Sequence, residues 1–301
     1  MATSLQSIKM SDGCTIKAKI LNPDDSSKPL LLTCHGAPGL SNHGETALWC
    51  SPFTDLFRVL VSDLRGCGTS DQQRPYTHER WTADLDELRQ WAGDEKVVFI
   101  GASHGGFLGL EYALRYPQHL SALIIGDTAA QFSHGCMLDA YRTALTDSRS
   151  KDVVDPEQLA RLFTGKTISD EDFLTSFAGI SPLYAVPDYL ASQAEGNVGE
   201  ALSKIIIPIP ETNRAAHDYC LSRFDVRDRL GEIKVPTFVF SGRFDWICPV
   251  KYGQAIAEGI PGAKFVVYEA SGHLPGIEEG TKFQGDVRGF LKGAGIEGLK
   301  I

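Results

Sequence analysis

A serine, an aspartate and a histidine in this sequence have the types and the chain order needed for nucleophilic catalysis. Ser103 is the central residue of a Gly-x-Ser-x-Gly pattern at residues 101–105, and Asp245 and His273 follow it along the chain. In a tight turn between strand and helix, this pattern raises the serine hydroxyl above the edge of a sheet. The pattern also arises by chance, so the flanking segments must decide whether Ser103 is a nucleophile.

Both flanking segments favour a nucleophile at Ser103. Residues 96–100, Lys-Val-Val-Phe-Ile, form a short β-branched run typical of a parallel strand buried on both faces. Residues 107–114 have helical spacing and consist mostly of strong helix formers. The backbone amide of His104, at the start of this predicted helix, would point at the reacting centre and help to hold an oxyanion.

A second turn could supply the other oxyanion-hole amide. The predicted strand 29–34 runs directly into His-Gly-Ala-Pro-Gly at residues 35–39, where two glycines and a proline force the backbone to turn. An ordinary Gly/Pro turn is the alternative, but the serine pattern about 65 residues later favours a functional turn. We assign the second amide to Ala37 and place Gly36 and Trp246 in the substrate pocket.

The acid and the base follow the last two predicted strands of the chain. Asp245 comes after strand 235–241, and His273 comes after strand 264–268 and is the only histidine downstream of Asp245. An imidazole held in the right tautomer by a buried carboxylate can accept the serine proton. Asp127, just past the strand that ends at Gly126, is the alternative acid.

The elements between these residues predict an α/β protein with a mostly parallel sheet and helices on both sides. Residues 5–20 read as an edge hairpin with an Asp-Gly turn. After strand 56–63, Asp63 and Arg65 are expected to brace the site region by hydrogen bonds. Within 129–224 the strand rhythm stops, which predicts a helical cap inserted into a core formed by residues 1–128 and 225–301.

Composition narrows the classes of partner. The net charge of −9 and the absence of a basic stripe argue against nucleic acid and against anionic membranes. Seven scattered cysteines look like reduced packing residues, and no signal or membrane-spanning pattern is visible, so we expect a cytoplasmic protein. The remaining histidines lack ligand spacing, so neither a metal nor another cofactor is expected. The sequence leaves the oligomeric state open.

Residues 30–126 and 224–291 resemble the proline iminopeptidase group of α/β-hydrolases. The resemblance rests on the 35–39 turn, on Asp-Leu-Arg-Gly-Cys-Gly-Thr-Ser at 63–70, and on segments 225–230 and 233–237. It implies the α/β-hydrolase fold, with Ser103 as nucleophile, Asp245 as orienting acid and His273 as base. It also implies an oxyanion hole made by the amides of Ala37 and His104.

Three features differ from that group. Ala37 replaces a glycine, His104 stands where tryptophan is usual, and the cap glutamates that grip a free amino terminus have no clear match. Glu211 lies near the expected place, but the residues around it do not fit.

These observations predict a serine hydrolase that cleaves an acyl bond of a small molecule through an acyl-enzyme. An acidic cap, with 13 carboxylates against 8 Lys or Arg at 130–224, favours a cationic substrate such as an amino-acid amide or short peptide, although a solvated surface also explains it. The missing glutamates favour an ester or lactone instead. A non-hydrolytic binder, or a lyase, oxygenase or cyclase of the same fold, is the alternative from another class.

Overall fold

Short buried strands alternate with amphipathic helices along most of the chain. The computed structural model describes residues 4–132, 135–192 and 205–299. Its strands are β1 Gln6–Lys9, β2 Thr15–Ile20, β3 Leu30–Cys34, β4 Arg58–Asp63, β5 Val97–Ala102, β6 Leu120–Gly126, β7 Thr237–Gly242 and β8 Lys264–Tyr268. Its helices are α1 His43–Cys50, α2 His78–Ala92, α3 His104–Arg115, α4 Cys136–Thr146, α5 Pro156–Thr164, α6 Asp170–Ile180, α7 Pro187–Ser192, α8 Pro210–Tyr219, α9 Val250–Gly259, α10 Pro275–Glu278 and α11 Gly280–Ala294. Short 3-10 helices occur at Ser51–Phe53, Pro117–His119, Ser181–Leu183, Leu221–Arg223 and Arg227–Glu232.

The eight strands form one sheet in the order β1-β2-β4-β3-β5-β6-β7-β8. β2 pairs antiparallel with β1 and with β4. The other neighbouring strands pair in parallel: β4 with β3, β3 with β5, β5 with β6, β6 with β7 and β7 with β8. The hairpin between β1 and β2 turns at Gly13, whose φ of +88° suits glycine. The predicted α/β-hydrolase architecture with a mostly parallel sheet is therefore confirmed.

The two faces of the sheet carry separate apolar clusters because successive side chains of a strand point to opposite sides. In β5, Val97 and Phe99 pack with residues of α2, α3 and α9. Val98 and Ile100 pack on the other face with residues of α1 and α11. Both faces are thus covered, which is the reason that the central strands read as uninterrupted apolar runs.

Helices α4 to α8 lie between β6 and β7, in the segment expected to form the cap. Within its described residues, the only sheet-like pairing is an isolated bridge between Gln131 and Asp225, which joins the two ends of this segment. A small apolar cluster of its helices also includes Leu40 and Trp246 of the core. The cap boundaries at residues 129 and 224 remain a prediction. None of the described helices has the length and apolar character needed to cross a membrane.

A buried ion pair anchors the loop that follows β4. Arg65 is 0% exposed, and its guanidinium donates two 2.8 Å hydrogen bonds to the carboxylate of Asp84 in α2. The carbonyl of Arg65 accepts from Nε1 of Trp81 at 3.0 Å. Two residues later, the sulfur of Cys67 accepts from the amide of Gly39 at 3.3 Å, so this loop supports the turn after β3.

Substituting Asp84→Ala removes one partner of this buried pair. Because the Arg65 guanidinium then loses its bidentate acceptor in a water-poor place, we expect the free energy of unfolding in urea to fall by about 3 kcal/mol. Asp25→Ala is the matched control, since Asp25 pairs with Lys28 at the surface and its loss should change little. Equal stability of the two variants would contradict the anchoring role of the pair.

Candidate active site

The serine turn depends on close contact between β5 and β3. Ser103 lies between β5 and α3 with φ +57° and ψ −125°, a conformation that side-chain-bearing residues rarely adopt. A β-carbon on Gly105 would lie 2.3 Å from the carbonyl oxygen of Cys34, and one on Gly101 would lie 2.6 Å from that of Gly105. Glycines at these positions therefore allow the turn to pack against the end of β3.

Hydrogen bonds on both sides fix the backbone of Ser103. Its amide donates to the carbonyl of Gly126 at 3.0 Å, and its carbonyl accepts from Oγ1 of Thr128 at 2.8 Å. Both partners lie at or just past the end of β6. The strained turn is thus held by the neighbouring strand.

The 35–39 turn is organised by the imidazole of His35. Nε2 accepts from the amide of Leu64 at 3.1 Å, so Nδ1 carries the proton and donates to the carbonyl of Gly36 at 3.0 Å. Burial lowers the pKa of His35, which agrees with a neutral ring. Ala37 is among the residues that line the cavity above Ser103.

The side chain of His104 lies away from that cavity. Its amide belongs to the first residue of α3 and so has no acceptor one turn earlier in the helix. Its imidazole packs 5.2 Å from the ring of Trp81 and 5.3 Å from that of His78, and burial holds its pKa well below the ordinary value. The position of His104 directly after Ser103 in the sequence suits a side chain that lines the pocket, but this interpretation is wrong, because the helix directs the ring into the core.

Asp245 and His273 form a buried pair. Nδ1 of His273 lies 2.9 Å from Oδ2 of Asp245, and the other carboxylate oxygen accepts from the amides of Ile247 and Cys248 at 2.9 and 3.0 Å. Burial lowers the pKa of His273, but the charge of Asp245 and its hydrogen bond outweigh that effect, so the pKa lies above its ordinary value. The aromatic ring of Tyr184 covers the imidazole at 5.5 Å.

Asp127, the alternative acid, lies beside this pair. Its amide donates to the carbonyl of Phe240 at 3.0 Å, and its Oδ1 accepts from the amide of Gly242 at 2.8 Å. Ligand atoms of Asp127, Asp245 and His273 all lie within 4.8 Å of one another, a spacing at which a divalent cation could also be held. Nδ1 of His273 is already hydrogen-bonded to Asp245, so Asp245 is the acid in direct contact with the imidazole.

A cavity of about 590 Å³ brings the candidate residues together. Gly36, Ala37, Ser103, Asp127 and His273 all contribute to its wall. Most of the other lining side chains are apolar: Leu40, Trp49, Phe177, Pro182, Leu190, Ile205, Ile206, Phe240, Leu274, Pro275 and Ile277.

The structure contradicts the expectation that Trp246 lies in the substrate pocket. It is not among the described residues that line the cavity. Its ring packs instead against Phe163 at 6.2 Å and Tyr184 at 5.9 Å, at the contact between core and cap. Trp246 thus packs against Tyr184, a lining residue that the sequence did not single out.

Glu45 is a site residue that sequence reasoning missed. It lies in the first turn of α1, lines the cavity, and accepts from the amide of Gly36 at 3.0 and 3.2 Å and from the hydroxyl of Ser41. Asn42 caps this helix by accepting from the amide of Gly44 at 2.7 Å. An Asn followed three residues later by Glu is the usable signal for such a helix start.

The described part of the cavity is not lined by carboxylates of the cap. Among the described lining residues, the carboxylates are those of Glu45 and Asp127, both outside the 129–224 segment. Glu211, the residue nearest to the expected amine-binding position, forms an exposed ion pair with Arg74. The described cap residues therefore present apolar and hydroxyl-bearing side chains to the cavity.

Substituting Gly105→Ala should deform the serine turn. The added methyl group would overlap the Cys34 carbonyl, so we expect a loss of about 2 kcal/mol in unfolding free energy, because the backbone must shift. Gly285→Ala in α11 is the matched control, since a β-carbon there meets nothing within 4 Å and alanine favours helix. Thermal unfolding should show a lower midpoint for the first variant and an equal or higher one for the second; the opposite order would refute the packing argument.

Known proteins are similar to this chain in sequence and in fold. The alpha/beta hydrolase fold family model matches residues 29–280. Proline iminopeptidase PfmaB of Pestalotiopsis fici is 31% identical over 287 residues, covering 93% of this chain and 97% of the relative. A proline iminopeptidase of Saccharolobus solfataricus is 28% identical over 93% of this chain and 89% of its own.

Two solved structures show the same architecture. A thermophilic esterase from Thermogutta terrifontis matches with a TM-score of 0.71 and 26% identity, over 98% of this chain and 99% of its own. The enol-lactonase from Burkholderia xenovorans matches with a TM-score of 0.74 at 21% identity, over 95% and 100% of the two chains. With the family match spanning most of the chain, this protein belongs to the α/β-hydrolase family and is a hydrolase related to the proline iminopeptidases.

Proposed function

We propose that this hydrolase cleaves an ester or lactone of a small, largely apolar substrate by a serine mechanism. Ser103 is the nucleophile, His273 the general base and Asp245 the residue that orients it. The observation that carries the proposal is the 2.9 Å hydrogen bond between Asp245 and His273, whose imidazole lines the same cavity as Ser103.

The mechanism follows from the roles of these groups. Oγ of Ser103 attacks the substrate carbonyl while its proton passes to Nε2 of His273, whose Nδ1 proton is held by Asp245. The amides of Ala37 and His104 stabilise the negative oxygen of the tetrahedral intermediate. The leaving alkoxide takes the proton from His273, which leaves an acyl-enzyme. His273 then activates a water that hydrolyses this ester and regenerates Ser103.

The cavity wall supports a neutral substrate. An ammonium group placed among apolar side chains loses its hydration, and this cost must be offset by nearby carboxylates. Among the described cap residues, those that line the cavity are apolar or hydroxylic, such as Phe177, Ser181 and Leu190. A volume of about 590 Å³ lies in the range of small-molecule sites.

An aminopeptidase-like activity is the second candidate, because Glu45 could hold a cationic amino group. A β-carbon on Gly36 would lie 3.4 and 3.5 Å from the Glu45 oxygens and 3.5 Å from Cβ of Ser103. The carboxylate is therefore only about one residue's width from the proposed nucleophile. The proline iminopeptidase relatives also favour this candidate.

A fluorophosphonate probe tests the serine mechanism. We expect covalent labelling of the wild type, detected by intact-protein mass spectrometry, and loss of that labelling in Ser103→Ala. Ser181→Ala is the matched control, because Ser181 also lines the cavity but lies outside the serine turn. Labelling of Ser103→Ala at the wild-type rate would exclude Ser103 as the nucleophile. A burst of product release from an activated ester would distinguish an enzyme that turns over its substrate from a protein that only binds it.

A substrate panel distinguishes the two candidate activities. We expect short esters and lactones to be cleaved at least tenfold faster than prolyl or alanyl arylamides, because the described cavity wall is mainly apolar. We also expect Glu45→Gln to leave the ratio of rates for free and amino-blocked arylamides unchanged; this ratio cancels any general disturbance of the turn that Glu45 supports. A tenfold or greater fall in that ratio, with arylamides as the better substrates, would establish the aminopeptidase instead.

A further inference from the structure

Two buried carboxyl groups lie side by side behind the imidazole of His273. Asp127 is 0% exposed and Asp245 is 4% exposed. Both lie within the 4.8 Å cluster that includes His273. Two negative charges this close, without water around them, repel each other strongly, so one of the two groups must hold a proton.

The hydrogen bonds indicate which group holds it. Asp245 accepts three N–H groups: the amides of Ile247 and Cys248 at 2.9 and 3.0 Å, and Nδ1 of His273 at 2.9 Å. Asp127 accepts one, from the amide of Gly242 at 2.8 Å, on Oδ1. Its Oδ2 is buried and meets no hydrogen-bond donor among the described residues. The charge therefore belongs on Asp245 and the proton on Oδ2 of Asp127.

We propose that Asp127 is a positioning residue that stays protonated and donates a hydrogen bond from Oδ2 to the carboxylate of Asp245. The proposal rests on the serine mechanism above, in which Asp245 orients His273. The donated bond fixes Asp245 from the side opposite the loop amides. It also draws negative charge away from the imidazole, and so limits how basic His273 becomes.

The backbone and the electrostatics of Asp127 both support this role. Its φ of +45° is a conformation that side-chain-bearing residues seldom adopt, and the 3.0 Å bond from its amide to the carbonyl of Phe240 helps to hold it. These constraints fix the backbone of Asp127, and its carboxyl group lies within the 4.8 Å cluster that contains Asp245. Burial raises the pKa of Asp127 well above its ordinary value, and the charge of Asp245 raises it further.

Other titratable groups also face this cluster. Glu278 lies behind His273 and accepts from the amides of Val186, Gly272 and Leu274. The charges of Glu45 and Glu278 both act on His273. Among the described residues, Tyr184, Cys248 and Tyr268 also interact electrostatically with the two aspartates, and the thiol of Cys136 contacts that of Cys248. None of them is altered in variants of Asp127, so a change in His273 in those variants reports the state of Asp127.

The pKa of His273, measured by NMR titration of the imidazole in the intact protein, tests the proposal. In Asp127→Asn the amide oxygen can accept from Gly242 and the NH₂ group can donate to Asp245, so we expect a shift below about 0.3 unit. In Asp127→Ala the donor is lost, Asp245 acts more strongly on the imidazolium, and the pKa should rise by about one unit. The acid limb of kcat/KM against pH should move in the same direction. Asp24→Asn, an exposed carboxylate, is the control.

An ionised Asp127 would give a different result for the pKa of His273. Removing its charge in Asp127→Asn would then lower the pKa of His273 by about one unit or more, and that result would overturn the proposal. Infrared spectroscopy gives an independent check: a neutral carboxylic C=O band at pH 7 should be present in the wild type and absent in Asp127→Asn. Should Asp127→Ala not fold, these two measurements decide. Neither needs turnover, so failure of the serine mechanism, read from Ser103→Ala labelling, remains distinguishable.

Discussion

The register of the parallel strands is the constraint on which the whole site depends. Cys34 pairs with Gly101, Ala102 with Gly126, and Gly126 with Phe240, so β3, β5, β6 and β7 end at one level of the sheet. Because parallel strands end at the same edge, groups that follow them in the sequence meet in space. A shift of one residue would turn each of these side chains to the other face.

The parts of the site that could be predicted from sequence are those with local signals. Apolar β-branched runs mark β5 to β8, and the glycines beside Ser103 mark a turn too tight for side chains. Asp245 and His273 follow recognisable strands, and the structure joins them by a hydrogen bond. The proposed acid and base could be found because each is defined by its distance from a strand end.

The parts that could not be predicted depend on side-chain direction and on packing between distant segments. Trp246 is next to Asp245 in sequence, yet its ring packs into the contact between core and cap. Glu45 belongs to the short helix α1, whose glycine-containing first turn weakens the helical pattern. Its position in the cavity follows from the way α1 packs on the sheet, and no local spacing encodes that.

Charge around the site is kept low by the same packing. Burial lowers the pKa values of His35 and His104, so both rings are neutral, and the proposed proton on Asp127 leaves Asp245 as the buried anion in contact with His273. In a water-poor site, each charge acts strongly on its neighbours. In the proposed mechanism, the charge that His273 gains with the serine proton is balanced by one adjacent carboxylate, and the negative oxygen of the intermediate is stabilised by backbone amides. Fixed dipoles that need little rearrangement stabilise charge at this moment more effectively than water does.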